Sequence, residues 1–226
     1  AEALELVNGN RVIFGVSDTF LLLMVVALFM LSYTVIGGLW AVVINDFFQL
    51  VLALLGAFML AYFVLKSLGG MDALLSQIQQ LNRPELLSLF PWEFHGNGIN
   101  WIDGTGISLA SFSAYISLQW WSFRRSDGGG EFIQRMLATR NEKEAERAGW
   151  VFLIVNYLLR SWIWIVVALS ALILLPSQQD WELSYPILAV KYLPPFFLGL
   201  VIVSLVAAFM STVSTSLNWG ASYLTY

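Results

Sequence analysis

The stretch from Ala207 to Asn218, AAFMSTVSTSLN, places five hydroxyl side chains inside an uncharged and otherwise apolar sequence. At helical spacing, four small residues of this stretch share one face, and one further hydroxyl lies beside it. These residues are Ala208, Ser211, Thr212 and Thr215, with Ser214 beside them. Hydroxyl and carbonyl oxygens are the ligands that hard cations prefer, and exclusion of water strengthens each contact. The pattern therefore predicts a cation site, although a tight packing face between membrane helices has the same composition.

The composition of the whole chain indicates a membrane protein. Its 226 residues are 58% hydrophobic and 12% charged, whereas about a quarter of the residues of a soluble domain are charged. A helix needs about 20 mostly apolar residues to cross a bilayer. Five stretches meet this requirement, namely residues 19–36, 47–65, 104–123, 148–176 and 192 onward. We therefore expect an all-α protein that crosses the cell membrane about five times.

The composition also argues against several classes of function. The chain has no cysteine and a single histidine, His95, so transition-metal sites and histidine-based catalysis lack their usual ligands and bases. The net charge of −4 argues against nucleic acid as a partner. No nucleophile stands beside a base in the apolar spans. We therefore expect neither an enzyme nor a bound organic cofactor.

The basic residues orient the predicted spans, because positive charge marks the cytoplasmic side of a membrane protein. Residues 134–147 carry four of the eleven basic residues and are predicted to form a cytoplasmic basic loop. Residues 66–103 are then an extracellular loop, in which the spacing of apolar residues over 71–81 predicts a short amphipathic helix. The odd number of spans, the start without Met and the end within polar helical sequence predict that residues 1–226 are a single transmembrane fragment of a longer protein.

Charged and glycine residues interrupt the apolar pattern at three points. Asp46 precedes the second predicted span, where a carboxylate is either a helix N-cap or a charged ligand for a cation. Arg160 lies a dozen residues into the fourth span, with Asn156 one turn before it. An intramembrane arginine must be paired or hydrated, so Arg160 is either a functional residue or a structural brace between helices. Residues 126–131, SDGGGE, form either a turn at the cytoplasmic boundary or an interrupted helix that faces a cavity.

Three motifs resemble those of the sodium:solute symporters, the family of the sodium/galactose, sodium/proline and sodium/sialic acid transporters. Residues 33–49, YTVIGGLWAVVINDFFQ, resemble the family pattern YTxxGGxxAVxxTDxxQ, with Asn45 in place of the usual Thr. Residues 134–145, QRMLATRNEKEA, are similar to the family's QRxLAAKxxxEA loop, and AAFMST resembles its sodium-ligand helix. The glycine run lengthens the end of the third span relative to the sugar transporters. The resemblance implies a LeuT-like bundle of two inverted repeats, of which this chain would hold core helices 4 to 8.

The resemblance also implies which residues bind ions and substrate. The residues that match ligands of the main sodium ion are Ala208, through its carbonyl, and Ser211 and Thr212, through their hydroxyls. The other half of that site would lie in a core helix outside this chain. The residues that match a second sodium site, present in some members, are Asp46, Ser214 and Thr215. The expected substrate contacts are the aromatic pair Trp120 and Trp121 and the polar residues Ser117, Gln119, Asn156 and Arg160.

These observations lead to one hypothesis and one alternative. In the hypothesis, sodium flowing inward drives the import of a small polar solute, with a sugar-like solute favoured, by alternating access and without covalent chemistry. Its partners would be Na⁺, the solute, the lipid bilayer and the remaining helices of the transporter. The alternative is a symporter-like sensor or membrane anchor of a signalling protein, which a kinase-like domain after the missing helices would indicate.

Overall fold

The computed structural model describes residues 12–13, 16–88, 90–95, 98–102, 108–122 and 129–224. Helices form most of this part of the chain, which confirms the expected all-α class. In chain order they are α1 (Asp18–Leu68), α2 (Met71–Gln80), α3 (Leu109–Ser122), α4 (Gly129–Leu137), α5 (Glu142–Leu153), α6 (Ser161–Leu174), α7 (Ser184–Tyr192) and α8 (Pro195–Leu224). A π-helical segment, Ile154–Arg160, joins α5 to α6, and short 3₁₀ helices span Pro84–Leu87 and Trp181–Leu183. Two antiparallel hairpins pair β1 (Val12–Ile13) with β2 (Val16–Ser17) and β3 (Trp92–His95) with β4 (Gly98–Trp101).

The chain divides into two compact units. The first unit comprises Ala1–Phe63 and Tyr185–Tyr226, and the second comprises Val64–Ser184. Three helical stretches among the described residues are long and apolar enough to cross a bilayer, namely Leu23–Leu68, Glu142–Leu174 and Pro195–Leu224. These stretches contain most of the first, second, fourth and fifth predicted spans.

The third predicted span, residues 104–123, is not confirmed at full length. Its described part is α3, a helix of 14 residues, which corresponds to about 21 Å at a rise of about 1.5 Å per residue. The hydrocarbon core of a bilayer is about 30 Å thick, so α3 by itself is too short to cross it. Residues 103–107 and 123–128, which flank α3, lie outside the described part of the chain.

A pair of glycines bends α1. Gly38 has φ 55° and ψ −147°, a conformation that residues with a side chain adopt only at a cost in strain. A Cβ atom on Gly37 would collide with the Cβ atom of Ala41. Both positions therefore need glycine, and the bend divides α1 into two helical segments, residues 18–37 and 39–68. The two segments contain the first and second predicted spans.

The bend corrects the interpretation of Asp46 as a helix N-cap. The second segment of α1 begins directly after Gly38, eight residues before the predicted start of the second span. The intervening residues are mostly apolar and continue the helix, so Asp46 lies in the helix interior. Its carboxylate therefore cannot satisfy the free amides of a helix start.

In the first unit, α8 runs antiparallel to the second segment of α1. The rings of Phe63 and Phe197 have centroids 5.4 Å apart. Farther along, a Cβ atom on Gly56 would lie 3.1 Å from Ser204 Oγ. Because this distance is tighter than ordinary van der Waals contact, glycine permits the close approach of the two helices. The residues buried around this contact include Ala57, Leu60 and Val201.

In the second unit, α2 packs against α6. Residues 71–81, predicted to form an amphipathic helix, contain α2, in which Leu74 and Ile78 are buried. On α6 the buried residues are Val167, Ser170 and Ala171. The packing therefore joins the apolar face of a short helix from the predicted outer loop to one face of the fourth span.

The second hairpin packs on the start of α3. Trp92 and Trp101 pair across β3 and β4, and both rings make edge contacts with Phe112 of α3, with centroids 5.7 and 5.5 Å apart. Phe90 stacks on Trp92 at 4.9 Å. The span and loop assignment did not predict this hairpin. Its signal in the sequence is Gly96-Asn97, a two-residue turn pair between two short aromatic runs.

The predicted basic loop of residues 134–147 is mostly helical. The turn between α4 and α5 occupies residues 138–141, and the Asn141 side chain caps α5 by accepting a hydrogen bond from the Glu144 amide at 3.0 Å. Gly129, with φ 58°, opens α4. The described end of the glycine run therefore starts a helix, whereas residues 126–128 lie outside the described part.

Candidate cation site

A carboxylate on α1 and two hydroxyls on α8 meet in the first unit. Ser211 Oγ donates a hydrogen bond to Asp46 Oδ1 at 2.5 Å, and Thr215 Oγ1 lies 3.5 Å from Asp46 Oδ2. Ser211 and Thr215 are one helical turn apart, so their hydroxyls reach the two oxygens of a single carboxylate. All three residues are half-buried. We call Asp46, Ser211 and Thr215 the oxygen cluster.

The other predicted hydroxyls of α8 bond to their own helix. Thr212 Oγ1 donates to the Ala208 carbonyl at 3.0 Å, and Ser214 Oγ donates to the Ser211 carbonyl at 3.2 Å. Bonding to the preceding turn is common for Ser and Thr in apolar helices. Ser214 is fully buried, whereas Ala208 and Thr212 are exposed. The structure therefore brings Ser211 to Asp46 and leaves Ala208 and Thr212 on an open surface of α8.

Two amide side chains extend the polar region along α1. Asn45 Nδ2 and Gln49 Oε1 are buried and have no hydrogen-bond partner among the described residues. Gln49 is only 7% exposed, and because it follows Asp46 by three residues it lies on the same side of the helix. A buried acceptor without a donor is costly, and a bound cation would satisfy it. Gln49 is thus a candidate ligand beyond those predicted from the sequence, in which its three-residue spacing from Asp46 is the signal for it.

The oxygen cluster has the chemistry of a site for a hard cation. The Asp46 carboxylate supplies a full negative charge, and each hydroxyl can offer a lone pair when its proton points away. Oxygen ligands favour hard ions, whereas softer transition metals favour thiolate or imidazole. Two opposite unit charges about 4 Å apart attract each other by about 4 kcal/mol at the effective dielectric of a partly buried site. The carboxylate is therefore the ligand of the oxygen cluster that attracts a cation most strongly.

Four of the predicted substrate contacts lie on α3 in the second unit. Ser117 is exposed, and its Oγ donates to the Ser113 carbonyl at 2.7 Å. The backbone of Gln119, Trp120 and Trp121 is helical, and their side chains lie outside the described part of the structure.

The other two predicted substrate contacts, Asn156 and Arg160, lie together on the π-helical segment. Ser161 Oγ donates to the Asn156 carbonyl at 3.0 Å, five residues back along the chain. The Arg160 side chain is exposed. Among the described residues, the Arg160 guanidinium makes no hydrogen bond and no ion pair. The Arg83 guanidinium, in contrast, pairs with Glu85.

Comparison with known proteins identifies the family. A sequence profile described as the sodium:solute symporter family matches residues 5–226. The chain is 26% identical over 221 residues to a protein named "Sodium/glucose cotransporter" from Vibrio parahaemolyticus, a match that covers 88% of this chain and 38% of that relative. The chain therefore spans less than half the length of the curated relative that it matches, and no solved structure matches it. Because the profile covers nearly the whole chain, this protein belongs to the sodium:solute symporter family.

Proposed function

We propose that the protein is a sodium-coupled secondary active symporter that imports a small polar solute across the cell membrane by alternating access. The observation that carries this proposal is the oxygen cluster, in which a carboxylate on α1 faces two hydroxyls on α8. Membership of the sodium:solute symporter family supports Na⁺ as the coupling ion. The name of the 26% identical relative supports a sugar-like solute.

The main Na⁺ would bind to the open surface of α8. Its ligands from this chain would be the Ala208 carbonyl and the hydroxyls of Ser211 and Thr212. The exposure of Ala208 and Thr212 supports this proposal, because a helix from the rest of the transporter can then complete the coordination. The Thr212 hydroxyl already lies beside the Ala208 carbonyl at 3.0 Å, so both oxygens can reach one ion.

A second Na⁺ would bind at Asp46, between α1 and α8. Thr215 is already in reach of the carboxylate, whereas Ser214 would have to turn its hydroxyl away from the Ser211 carbonyl. Gln49 Oε1 would add an uncharged oxygen from the next turn of α1. Ser211 belongs to the main site by resemblance and contacts Asp46 in the structure, so the two ions would share one hydroxyl.

Sodium would drive transport by favouring one conformation over the other. A ligand shifts a conformational equilibrium only by its differential affinity for the two states. An ion that bridges α8 to its partner helix would bind best when the two are close, which would favour the outward-open state. Release of the ion to the cytoplasm would then free the inner exit. Indole faces at Trp120 and Trp121 would stack on the solute, with polar contacts from Ser117, Gln119, Asn156 and Arg160.

The proposal is tested by Ser211→Ala in the full-length transporter reconstituted in proteoliposomes. The variant removes a ligand of the main ion and the hydroxyl that donates to Asp46. Hydrogen bonds to charged groups contribute about 1.5–3 kcal/mol, so the sodium concentration for half-maximal uptake should rise about 10- to 100-fold. The matched control is Ser216→Ala, an exposed hydroxyl on the same helix, which should leave that concentration unchanged. An unchanged sodium dependence in Ser211→Ala contradicts the assignment.

The sensor or membrane-anchor alternative is separated from transport by flux. If the wild-type protein shows sodium-driven uptake of a solute into proteoliposomes, it is a transporter. If sodium and solute bind but no uptake is measurable under an imposed sodium gradient, the symport proposal fails and the sensor alternative gains support.

A further inference from the structure

One stripe of side chains at the start of the fourth span changes from cationic to apolar along the helix. Four exposed residues follow one another at spacings of four, three and four, so they lie on one side of α5 and of the turn after it. They are Lys143, Arg147, Trp150 and Ile154, and we call them the graded stripe. Trp150 is 59% and Ile154 52% exposed. This order of side chains is typical of a helix that passes from lipid headgroups into hydrocarbon.

The opposite side of α5 packs against α4 within the second unit. The rings of Phe132 and Phe152 have centroids 5.0 Å apart. A Cβ atom on Gly149 would lie 3.8 Å from Met136 Cε. At about 100° per residue, Gly149 and Phe152 lie about half a turn around the helix from the graded stripe. Because α4 covers that other side, the graded stripe stays open in the structure.

The length of the fourth span indicates the depth of the graded stripe in a bilayer. The helical stretch Glu142–Leu174 has 33 residues, or about 50 Å at about 1.5 Å per residue, which exceeds the hydrocarbon core by about 20 Å. Its charged residues other than Arg160 all precede residue 148, so the excess lies at that end. The core would then begin near Ile154, with Trp150 at the headgroups. Arg147 follows about 5 Å farther out, inside the screening length of about 8 Å at physiological salt.

The fold does not use the two cations of the graded stripe. Within the described part of the chain, neither Lys143 nor Arg147 takes part in an ion pair. Lys143 lies in the first turn of α5, where the helix dipole favours negative charge, which Glu142 and Glu144 already supply. Two like charges one helical turn apart also repel each other. An anion beside Lys143 and Arg147 would offset both costs.

We propose that the graded stripe binds the headgroup and acyl chain of an anionic phospholipid. The Arg147 guanidinium would pair with the phosphate through its planar fork, and Lys143, one turn farther from the bilayer, would add a weaker attraction. The predicted orientation puts this end of the span at the cytoplasm, whose leaflet carries the anionic lipids. An acidic protein segment would match the two cations but not the indole and aliphatic side chains beyond them, whereas a lipid has groups in that order. The inference does not depend on the proposed symport function.

The test measures which lipid lies beside the graded stripe in vesicles of phosphatidylcholine. A bimane label is attached through Val151→Cys, next to Trp150 and 60% exposed, in a cysteine-free version of the full-length transporter. The quencher is doxyl-labelled phosphatidylglycerol or, at the same mole fraction, phosphatidylcholine with the same label. Each cation beside the headgroups contributes up to about fivefold. Phosphatidylglycerol should therefore associate about tenfold more strongly than phosphatidylcholine, and the double variant Lys143→Gln/Arg147→Gln should lose this preference.

Two control variants separate a local lipid site from the overall charge of the protein. Lys66→Gln/Lys191→Gln removes two exposed cations at the ends of other helices and should keep the preference. Lys143→Arg/Arg147→Lys retains both charges and should keep most of it. The inference is wrong if both lipids quench the wild type equally, if Lys143→Gln/Arg147→Gln keeps the preference, or if Lys66→Gln/Lys191→Gln loses it to the same extent. If excess inorganic phosphate abolishes the preference at constant ionic strength, the stripe binds free phosphate and the lipid assignment is also wrong.

Discussion

Substitution of Asp46 by Asn removes the only formal charge from the oxygen cluster while keeping the size of the side chain. The Asn side chain still offers one oxygen, so the hydrogen bond that Ser211 donates to Asp46 Oδ1 at 2.5 Å can be retained. The second oxygen, 3.5 Å from Thr215 Oγ1, becomes an amide nitrogen that donates rather than accepts. The substitution therefore isolates the charge from the shape of the site.

The expected loss follows from the electrostatics of a partly buried site. A carboxylate and a cation about 4 Å apart attract by about 4 kcal/mol at an effective dielectric near 20. The neutral amide dipole and the lower desolvation cost offset part of this, leaving a net loss of about 2 kcal/mol or more. This corresponds to a rise of at least about 30-fold in the sodium concentration for half-maximal binding of the second ion, at Asp46. Folding stability should change much less, by about 1 kcal/mol, because the bond to Ser211 persists in neutral form.

The assay is a sodium titration of thermal stability in the purified full-length transporter, repeated with potassium to remove general salt effects. The wild type should show a saturable rise in its unfolding midpoint with sodium, and Asp46→Asn should need far more sodium for the part of that rise that the ion at Asp46 contributes. Glu144→Gln, which removes an exposed carboxylate at the start of α5, serves as the charge control. If Asp46→Asn titrates as the wild type does, Asp46 does not bind a cation and the reasoning about the oxygen cluster is wrong.

The fold and one ionisable side chain give three further predictions. Gly38→Ala should destabilise the protein by about 1–3 kcal/mol because φ 55° and ψ −147° strain any residue with a Cβ atom, and a thermal melt measures this. Gly56→Ala should lower stability by about 1–2 kcal/mol relative to Gly199→Ala. The Cβ atom at position 56 would lie 3.1 Å from Ser204 Oγ, whereas the space at position 199 is open. Equal melting temperatures of the two variants would contradict the packing of α8 on α1. Burial raises the pKa of Tyr185 to about 12. The protonated Tyr185 side chain therefore contributes fully to stability below a pH of about 10, at which a tyrosine ionises in the unfolded chain. This contribution is lost as the pH rises through about 12. An ultraviolet titration should therefore show a late-ionising tyrosine that is lost in Tyr185→Phe.

Hydropathy and periodicity were sufficient to predict most of the helices. The apolar stretches are long enough to cross a bilayer, which identifies them as membrane helices. The spacing of apolar residues such as Leu74 and Ile78 predicted α2, and its predicted end differs from the observed end by one residue. The start of the second span was missed because it depends on the backbone conformation of Gly38, which hydropathy does not report. The β3–β4 hairpin was missed because its strands are four residues long and lie in a segment assigned as a loop.

The candidate site was only partly predictable from the sequence. The helical spacing of Ser211 and Thr215 placed both hydroxyls on one face, and the structure agrees with that. Their contact with Asp46 joins positions 165 and 169 residues apart, so it depends on the packing of α8 against α1 rather than on any local pattern. The resemblance to the family assigned Ser211 and Asp46 to separate ion sites, whereas a direct hydrogen bond links them.

A high-resolution structure of the full-length transporter, determined once in sodium and once in a large organic cation, tests the central claim most directly. We predict ion density in the sodium form that is coordinated by the Asp46 carboxylate, the Ser211 hydroxyl or both, and absent in the other form. Side chains of the oxygen cluster that face acyl chains, or that pack in dry contact without an ion in both forms, would contradict the account.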